Sequence, residues 1–407
     1  MKILQINKFY YRRGGAENHF LDLCELLENH GEKVVPFAMK HPKNLPTVYN
    51  KNFVSNIDLE KVGISSMLKS GRIFYSLEAK RKISKLINRE KPDIAHAHLI
   101  YHQLSPSILV ALKKKKVPVV MTLSDWKLIC PNYLLFTEGK ICTRCKNKKY
   151  RQAWEHCCSD NSCWKSAVIA AEAYFHHARG YYENLIDLFV APSEFVKDMF
   201  VDFGWPAEKI IVLPYFLSPS IERIGEPRAA PKNPRFAYLG RLEEVKGVQE
   251  LVESWIVQNI PYDLDIYGDG SLMPTLKIIL ERSSQKNIFL HGFVDRDEVN
   301  KKIAKEITAL IAPSIYYETF GLITIEAWAK GVPILANNCG VLAELVKKSG
   351  AGLLFDVKNG NDLLEKIKKI QGRVYRERAV KYMETHHQAD EYYKQIMGVY
   401  NSLLSRK

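Results

Sequence analysis

Arg235-Phe236-Ala237-Tyr238-Leu239-Gly240-Arg241-Leu242-Glu243-Glu244-Val245-Lys246-Gly247 begins with a short apolar run and passes at once into a glycine-bounded loop carrying two cations. The run reads as a strand, which puts the loop at its carboxyl end. Ligands of open parallel sheets bind beyond those ends. Arg241 and Lys246 thus place two positive charges where a diphosphate could be neutralised, as Mg²⁺ does in other sites. Two surface cations at a strand end would read the same way, so the loop alone does not decide.

On either side of this stretch, short apolar strands alternate with amphipathic helices. Before it, strands are expected at Lys2–Asn7, Lys33–Met39, Asp93–Leu99, Val117–Leu123, Asp187–Ala191 and Lys209–Leu213. After it come Tyr262–Tyr267, Asn287–His291, Thr308–Ala312 and Val332–Ala336. Such alternation argues α/β with parallel, doubly wound sheets. Pro214, Pro219, Pro227, Pro231 and Pro234 mark a linker between the two series. The expected organisation is an N-terminal Rossmann-like domain over 1–218, a second over 219–386, and a terminal helix over 387–407. That helix carries Tyr392, Tyr393, Ile396, Val399, Tyr400 and Leu403, an apolar face that needs a partner.

Composition narrows the class. With 407 residues, 46% of them hydrophobic and 26% charged, the chain can bury a large core. Disorder, collagen-like repeats and a disulfide miniprotein are excluded. No run approaches the ~18 apolar residues of a membrane span. Lys8 and Arg12 interrupt the start too early for a signal-peptide core, so a cytoplasmic protein is expected. The net charge is +14, and it is uneven: residues 1–218 hold 32 Lys and Arg against 21 Asp and Glu, the remainder 27 against 24. A basic first half suits an anionic partner.

Downstream, Glu318-Thr319-Phe320-Gly321-Leu322 leads into a helix, with Glu326 one turn inside it. Helix N-termini attract phosphate, and a carboxylate such as Glu326 can accept hydrogen bonds from a ribose diol. Tyr267-Gly268-Asp269-Gly270 and Gly292 follow two further strands, each a weak signal alone. In this order and spacing, together with Gly331-Val332-Pro333-Ile334 and Gly350-Ala351-Gly352-Leu353-Leu354-Phe355, the motifs resemble the retaining family 4 glycosyltransferases. The resemblance runs along nearly the whole chain. It implies the GT-B architecture: two facing Rossmann-like domains, nucleotide-sugar donor on the second, acceptor mainly on the first, and the last helix crossing back to the first. By position it implies that Arg241 and Lys246 bind the donor diphosphate. Glu318 would contact the transferred sugar, Glu326 the ribose, and Phe320, Gly321 and Leu322 would offer backbone N–H groups. Cys339-Gly340 departs from the two glycines common in the family.

In the first half, Arg12-Arg13-Gly14-Gly15-Ala16-Glu17 resembles the family's loop that closes over the diphosphate, which assigns Gly14 and Gly15 to donor binding. Leu123-Ser124-Asp125 resembles the family's Leu-His-Asp segment with Ser124 where histidine is usual. A serine can donate a hydrogen bond but cannot carry charge. Asp125 is a candidate for work at the acceptor hydroxyl, or else a capping carboxylate. Six of the eight cysteines lie between 130 and 163. Cys142 and Cys145 form a C-x-x-C pair, and with Cys130 and Cys158 they make a candidate structural zinc set like that of a cysteine-bearing subgroup; reduced cysteines without metal are the alternative. Cys157 or Cys163 could replace the fourth ligand.

The expected function is retaining, metal-independent transfer of a hexose from a nucleotide-diphosphate sugar, UDP before GDP, to a polysaccharide or lipid-linked acceptor. Two alternatives are a catalytically weak nucleotide-sugar-binding protein and a basic zinc-containing nucleic-acid binder; no nucleic-acid motif supports the second. The stretch 61–89, rich in cations between apolar residues, is expected to dock on an anionic membrane unless its apolar side packs on the sheet.

Overall fold

The computed structural model describes residues 1–56, 71–227, 231–358 and 360–405. The chain divides into two compact units. One comprises Met1–Leu135, Thr143–Ser218 and Ala389–Lys407, the other Phe136–Cys142 and Pro219–Gln388.

The strands, in chain order, are β1 (Lys2–Ile6), β2 (Lys33–Phe37), β3 (Ile94–Ala97), β4 (Val119–Thr122), the hairpin β5 (Phe136–Thr137) and β6 (Lys140–Ile141), β7 (Leu188–Ala191) and β8 (Ile210–Val212). They continue with β9 (Arg235–Leu239), β10 (Asp263–Tyr267), β11 (Ile288–Gly292), β12 (Ala309–Ala312), β13 (Ile334–Asn337) and β14 (Gly352–Phe355). The first unit holds a parallel sheet in the order β2-β1-β3-β4-β7-β8. The second holds a parallel sheet in the order β11-β10-β9-β12-β13-β14. Near-continuous aliphatic strands such as Ala309-Leu310-Ile311-Ala312 are buried along their length, as parallel strands covered on both faces must be.

In the first unit the helix Gly15–Asn29 buries Phe20, Leu23 and Leu27. The terminal helix Ala389–Leu404 shares that core, burying Tyr392, Ile396, Tyr400 and Leu403. Its polar atoms are also satisfied there: the Tyr400 hydroxyl lies 2.7 Å from His96 Nδ1, and that of Tyr392 lies 3.3 Å from His19 Nε2. His96 and His98 are fully buried neighbours with rings stacked 4.4 Å apart, and burial pushes His96 down to about 3. They are packed core histidines held neutral.

The helix Leu77–Glu90 corrects the membrane expectation for its part of 61–89. Ser76 caps it, and Ala79, Ile83, Leu86 and Ile87 are buried in the protein. Of its cations, Lys82 pairs with Glu78 and Arg89 with Glu90, each at 2.9 Å, and Arg72, upstream of the helix, pairs with Glu78 as well. Its apolar side packs against the fold, while Leu77 at its start is exposed. Residues 61–70 lie outside the described residues.

Candidate active site

In the second unit the strand order reverses between β9 and β12. The crevice of a doubly wound sheet lies outside the carboxyl ends at such a point. The loop Gly240–Gly247 leaves β9 there and the loop 313–321 leaves β12 there. Lys246 and Glu318 meet: Lys246 Nζ donates to Glu318 Oε1 at 3.0 Å and to the Tyr316 hydroxyl at 3.2 Å. Ser314 Oγ donates to the same Glu318 oxygen at 2.5 Å, and Asn337 Nδ2 fixes the Ser314 carbonyl at 2.9 Å. Burial works against the Lys246 charge, yet the adjoining Glu318 and Tyr316 outweigh it and raise the pKa above the ordinary lysine value. Burial likewise disfavours ionised Glu318, but Lys246 and the Ser314 hydroxyl hold its carboxyl below the ordinary range. The site is therefore a preformed, fully charged pair.

Two glycines make this geometry. Gly247 has φ 67°, and a Cβ there would fall 2.1 Å from the Pro313 carbonyl oxygen, so only glycine lets the two loops touch. Gly321 has φ 83° and caps the helix Leu322–Ala329, its carbonyl accepting the Thr324 N–H at 2.9 Å. The Phe320 side chain is buried and its ring lies 5.6 Å from that of His387. Glu326 is half-buried one turn into the helix. Arg241 stands apart from the pair: it is exposed and bonds Glu243 at 2.5 Å, while its charge still favours ionised Glu318.

The first sheet reverses between β1 and β3. Gly14 caps the helix Gly15–Asn29 with extended backbone and no side-chain cap bond. Lys8 and Arg13 both sit over the Phe9 ring, at 5.0 and 4.6 Å, and burial with the Arg13 charge pushes the Lys8 ammonium down to about 8. After β4, Asp125 Oδ1 accepts the Lys127 backbone N–H at 2.9 Å, and Tyr101 also bonds this carboxylate. Asp125 thus has the local turn role of a capping carboxylate as well. Burial dominates its titration and pushes it up to about 6, against the Lys127 N–H, the Lys127 charge and the Tyr101 hydroxyl. Ser124 Oγ lies 3.1 Å from the Tyr215 hydroxyl, whose ring stacks on His19 at 3.6 Å.

Behind Asp125 is an ion pair that sequence reading missed. Lys127 Nζ donates to Glu172 Oε2 and to the Pro131 carbonyl, both at 2.9 Å, and His102 Nδ1 lies 3.4 Å from Glu172 Oε1. Glu172 stands in Ser166-Ala167-Val168-Ile169-Ala170-Ala171-Glu172-Ala173, a lone acid in an apolar run, which is the signal that could have found it. Tyr316 left no comparable signal.

The cysteines depart from expectation. Cys157 and Cys163 form a disulfide. Cys145 packs in a small core with Tyr150, Ala153, Ala170 and Ala173, against which Cys158 rests, and Cys130 Sγ donates to Asn132 Oδ1 at 2.8 Å. Among the described residues no three or more His, Cys, Asp or Glu side chains are arranged to hold a metal ion.

Comparison with known proteins decides the family. The family described as Glycosyltransferase Family 4 matches residues 13–220, and that described as Glycosyl transferases group 1 matches residues 221–385. The chain belongs to the family 4 glycosyltransferases. A 41.2 kDa protein in the cps region of Klebsiella pneumoniae is 27% identical over 54% of this chain, which spans 61% of that relative's length. The lipopolysaccharide outer core galactosyltransferase WaaB superposes over the whole of both chains, with a TM-score of 0.64 and 17% identity. Anabaena Alr3699/HepE in complex with UDP-glucose superposes over 99% of this chain and 100% of its own, with a TM-score of 0.65 and 16% identity. These structural likenesses show the GT-B fold.

Proposed function

We propose that this glycosyltransferase moves a hexose from a nucleotide-diphosphate sugar to a glycan or lipid-linked acceptor at the inner face of a membrane, with retention and without a catalytic metal. The observation that carries the reading is the Lys246 ammonium, held 3.0 Å from Glu318 where strand order reverses in the second unit. A diphosphate arriving there meets a permanent cation and the N-terminus of the helix Leu322–Ala329. Lys246 and Arg241 would stabilise the charge that grows as the bond from the anomeric carbon to the diphosphate breaks. Glu318 would orient the sugar, Glu326 the ribose, and Phe320, Gly321 and Leu322 would supply N–H donors. Gly14 and Gly15 would leave room for the diphosphate at the first helix, and Asp125 would accept the proton of the attacking hydroxyl. UDP is the first choice of nucleotide, supported by the UDP-glucose complex of the Anabaena protein, and GDP the second.

The Ser124–Tyr215 contact in place of a histidine supports a second reading, a protein that binds nucleotide-sugars and turns them over weakly. Turnover of UDP- and GDP-sugars in excess EDTA, with proton NMR of the product's anomeric configuration, separates the two. Retention with undiminished rate supports transfer as described. Loss of rate in EDTA refutes the cation-pair role, and donor binding without transfer or hydrolysis favours the second reading.

A further inference from the structure

The helix Cys163–Ala178 is built inside out. Its polar side chains Ser166, Glu172, His176 and His177 are buried. On the opposite side Trp164, Ala171, Tyr174 and Ala178 are exposed, and Ala167, Val168 and Phe175 are half-buried. At 100° per residue these seven fall within one third of the helix circumference, and no charged residue interrupts them. Trp164 is 72% exposed and Tyr174 45%. Trp154, 53% exposed, extends the face: its carbonyl accepts the Cys157 N–H at 3.0 Å, and the disulfide ties Cys157 to Cys163, next to Trp164. The Tyr174 hydroxyl in turn accepts the Arg151 N–H at 3.1 Å, at the start of the short helix that carries Trp154.

Exposed aromatic and aliphatic surface of this extent marks an interaction site. Its border identifies the partner. Residues 143–179 of the first unit hold seven Lys or Arg (Arg144, Lys146, Lys148, Lys149, Arg151, Lys165, Arg179) against Glu155, Asp160 and the buried Glu172. Lys165 pairs with Asp160 and Arg151 with Glu155, both at 2.8 Å, Lys146 pairs with Asp202 at 2.5 Å and Lys148 with Glu183 at 3.0 Å, whereas exposed Lys149 has no acidic partner among the described residues, and Arg179 lies over the Phe175 ring at 5.3 Å. Tryptophan and tyrosine beside lysine and arginine suit the level of lipid headgroups, where an apolar face enters and cations meet anionic lipid. A second copy would bring the same positive border against itself.

We propose that the outward face of the helix Cys163–Ala178, together with Trp154 and the surrounding cations, is a docking surface for an anionic lipid bilayer. The inference rests on the reading of a lipid-linked acceptor: docking here would bring the first unit to lipid-borne substrate through the cysteine-bearing segment, a role the buried face of Leu77–Glu90 cannot take.

The test is sedimentation of the full chain with vesicles of phosphatidylglycerol and phosphatidylcholine, against phosphatidylcholine alone, at low and high salt. Binding should require phosphatidylglycerol and weaken with salt. Trp154→Ala/Trp164→Ala and Ala171→Glu should each reduce the bound fraction at least tenfold, and Lys149→Glu/Arg179→Glu likewise. Circular dichroism melts and donor hydrolysis in solution should match the parent, because none of these residues lies at the Lys246–Glu318 site. Vesicle binding unchanged in these variants overturns the proposal. So does a parent dimer that Ala171→Glu converts to monomer while lipid binding persists. Vesicle binding lost in the variants, with no sugar transfer by the parent on any acceptor, would leave the docking surface standing and the functional reading refuted.

Discussion

Lys127→Met should destabilise the first unit out of proportion to its size. The Lys127 side chain is 6% exposed and that of Glu172 1%, so the pair is buried. Removing the ammonium leaves a carboxylate whose remaining close neighbour is His102 at 3.4 Å, an imidazole that burial shifts toward its neutral form. Breaking a buried pair from one side costs about 3–5 kcal/mol. At roughly 2–4 °C per kcal/mol for a unit of this size, the transition should fall by about 6–20 °C. The double variant Lys127→Met/Glu172→Leu removes both charges and should recover much of that loss. Sign and pH follow from linkage. Burial opposes ionised Glu172, but Lys127 and His102 hold its carboxyl well below the ordinary range in the folded state. Its contribution is therefore full above the unfolded value of ~4.3 and is lost as pH falls through the folded value. The penalty of Lys127→Met should accordingly shrink on acidification, as Glu172 protonates in the variant first. Differential scanning calorimetry from pH 7 to pH 4 measures all of this. A loss below about 1 kcal/mol, the range of exposed pairs, or a double variant as unstable as the sum of the singles, would refute the argument.

Two further outcomes are expected. In its proposed role as base Asp125 acts only when ionised, so with its carboxyl pushed up to about 6 the rate should rise with pH through that value; Asp125→Asn should cost about 10²-fold or more and abolish the limb, as steady-state pH profiles would show. Gly247→Ala must place a Cβ 2.1 Å from the Pro313 carbonyl oxygen at φ 67°, which should cost at least ~1–2 kcal/mol and weaken nucleotide binding, read by melting and by titration with UDP.

Much of the fold was legible because parallel strands announce themselves. Runs such as Phe236–Leu239 and Ala309–Ala312 are apolar throughout, and the alternation with helices gave both sheets. β14 escaped because Gly352-Leu353-Leu354-Phe355 is short and opens on glycine. The Lys246 and Glu318 motifs were also legible, since each follows its own strand at a reversal point. Their direct contact was not, because 72 residues separate them, and neither was the Lys127–Glu172 pair, 45 residues apart. Periodicity in Leu77–Glu90 identified an apolar side without distinguishing protein from lipid. The reverse holds in Cys163–Ala178, where only burial reveals that the polar residues point inward. Cysteine spacing offered thiolate ligands but did not show the packing: the structure links Cys157 to Cys163 and sets Cys145 among aromatic and aliphatic side chains.

The central claim is that a nucleoside diphosphate binds on Lys246. Calorimetric titration of UDP, GDP and ADP into the full chain, in EDTA, with Lys246→Ala alongside, tests it most directly. Loss of one charge-assisted bond is worth about 1.5–3 kcal/mol, so the variant should bind the preferred diphosphate roughly 10- to 100-fold more weakly while melting as a folded protein. Equal affinity in both proteins, or no binding of any of the three nucleotides to the parent, would contradict it.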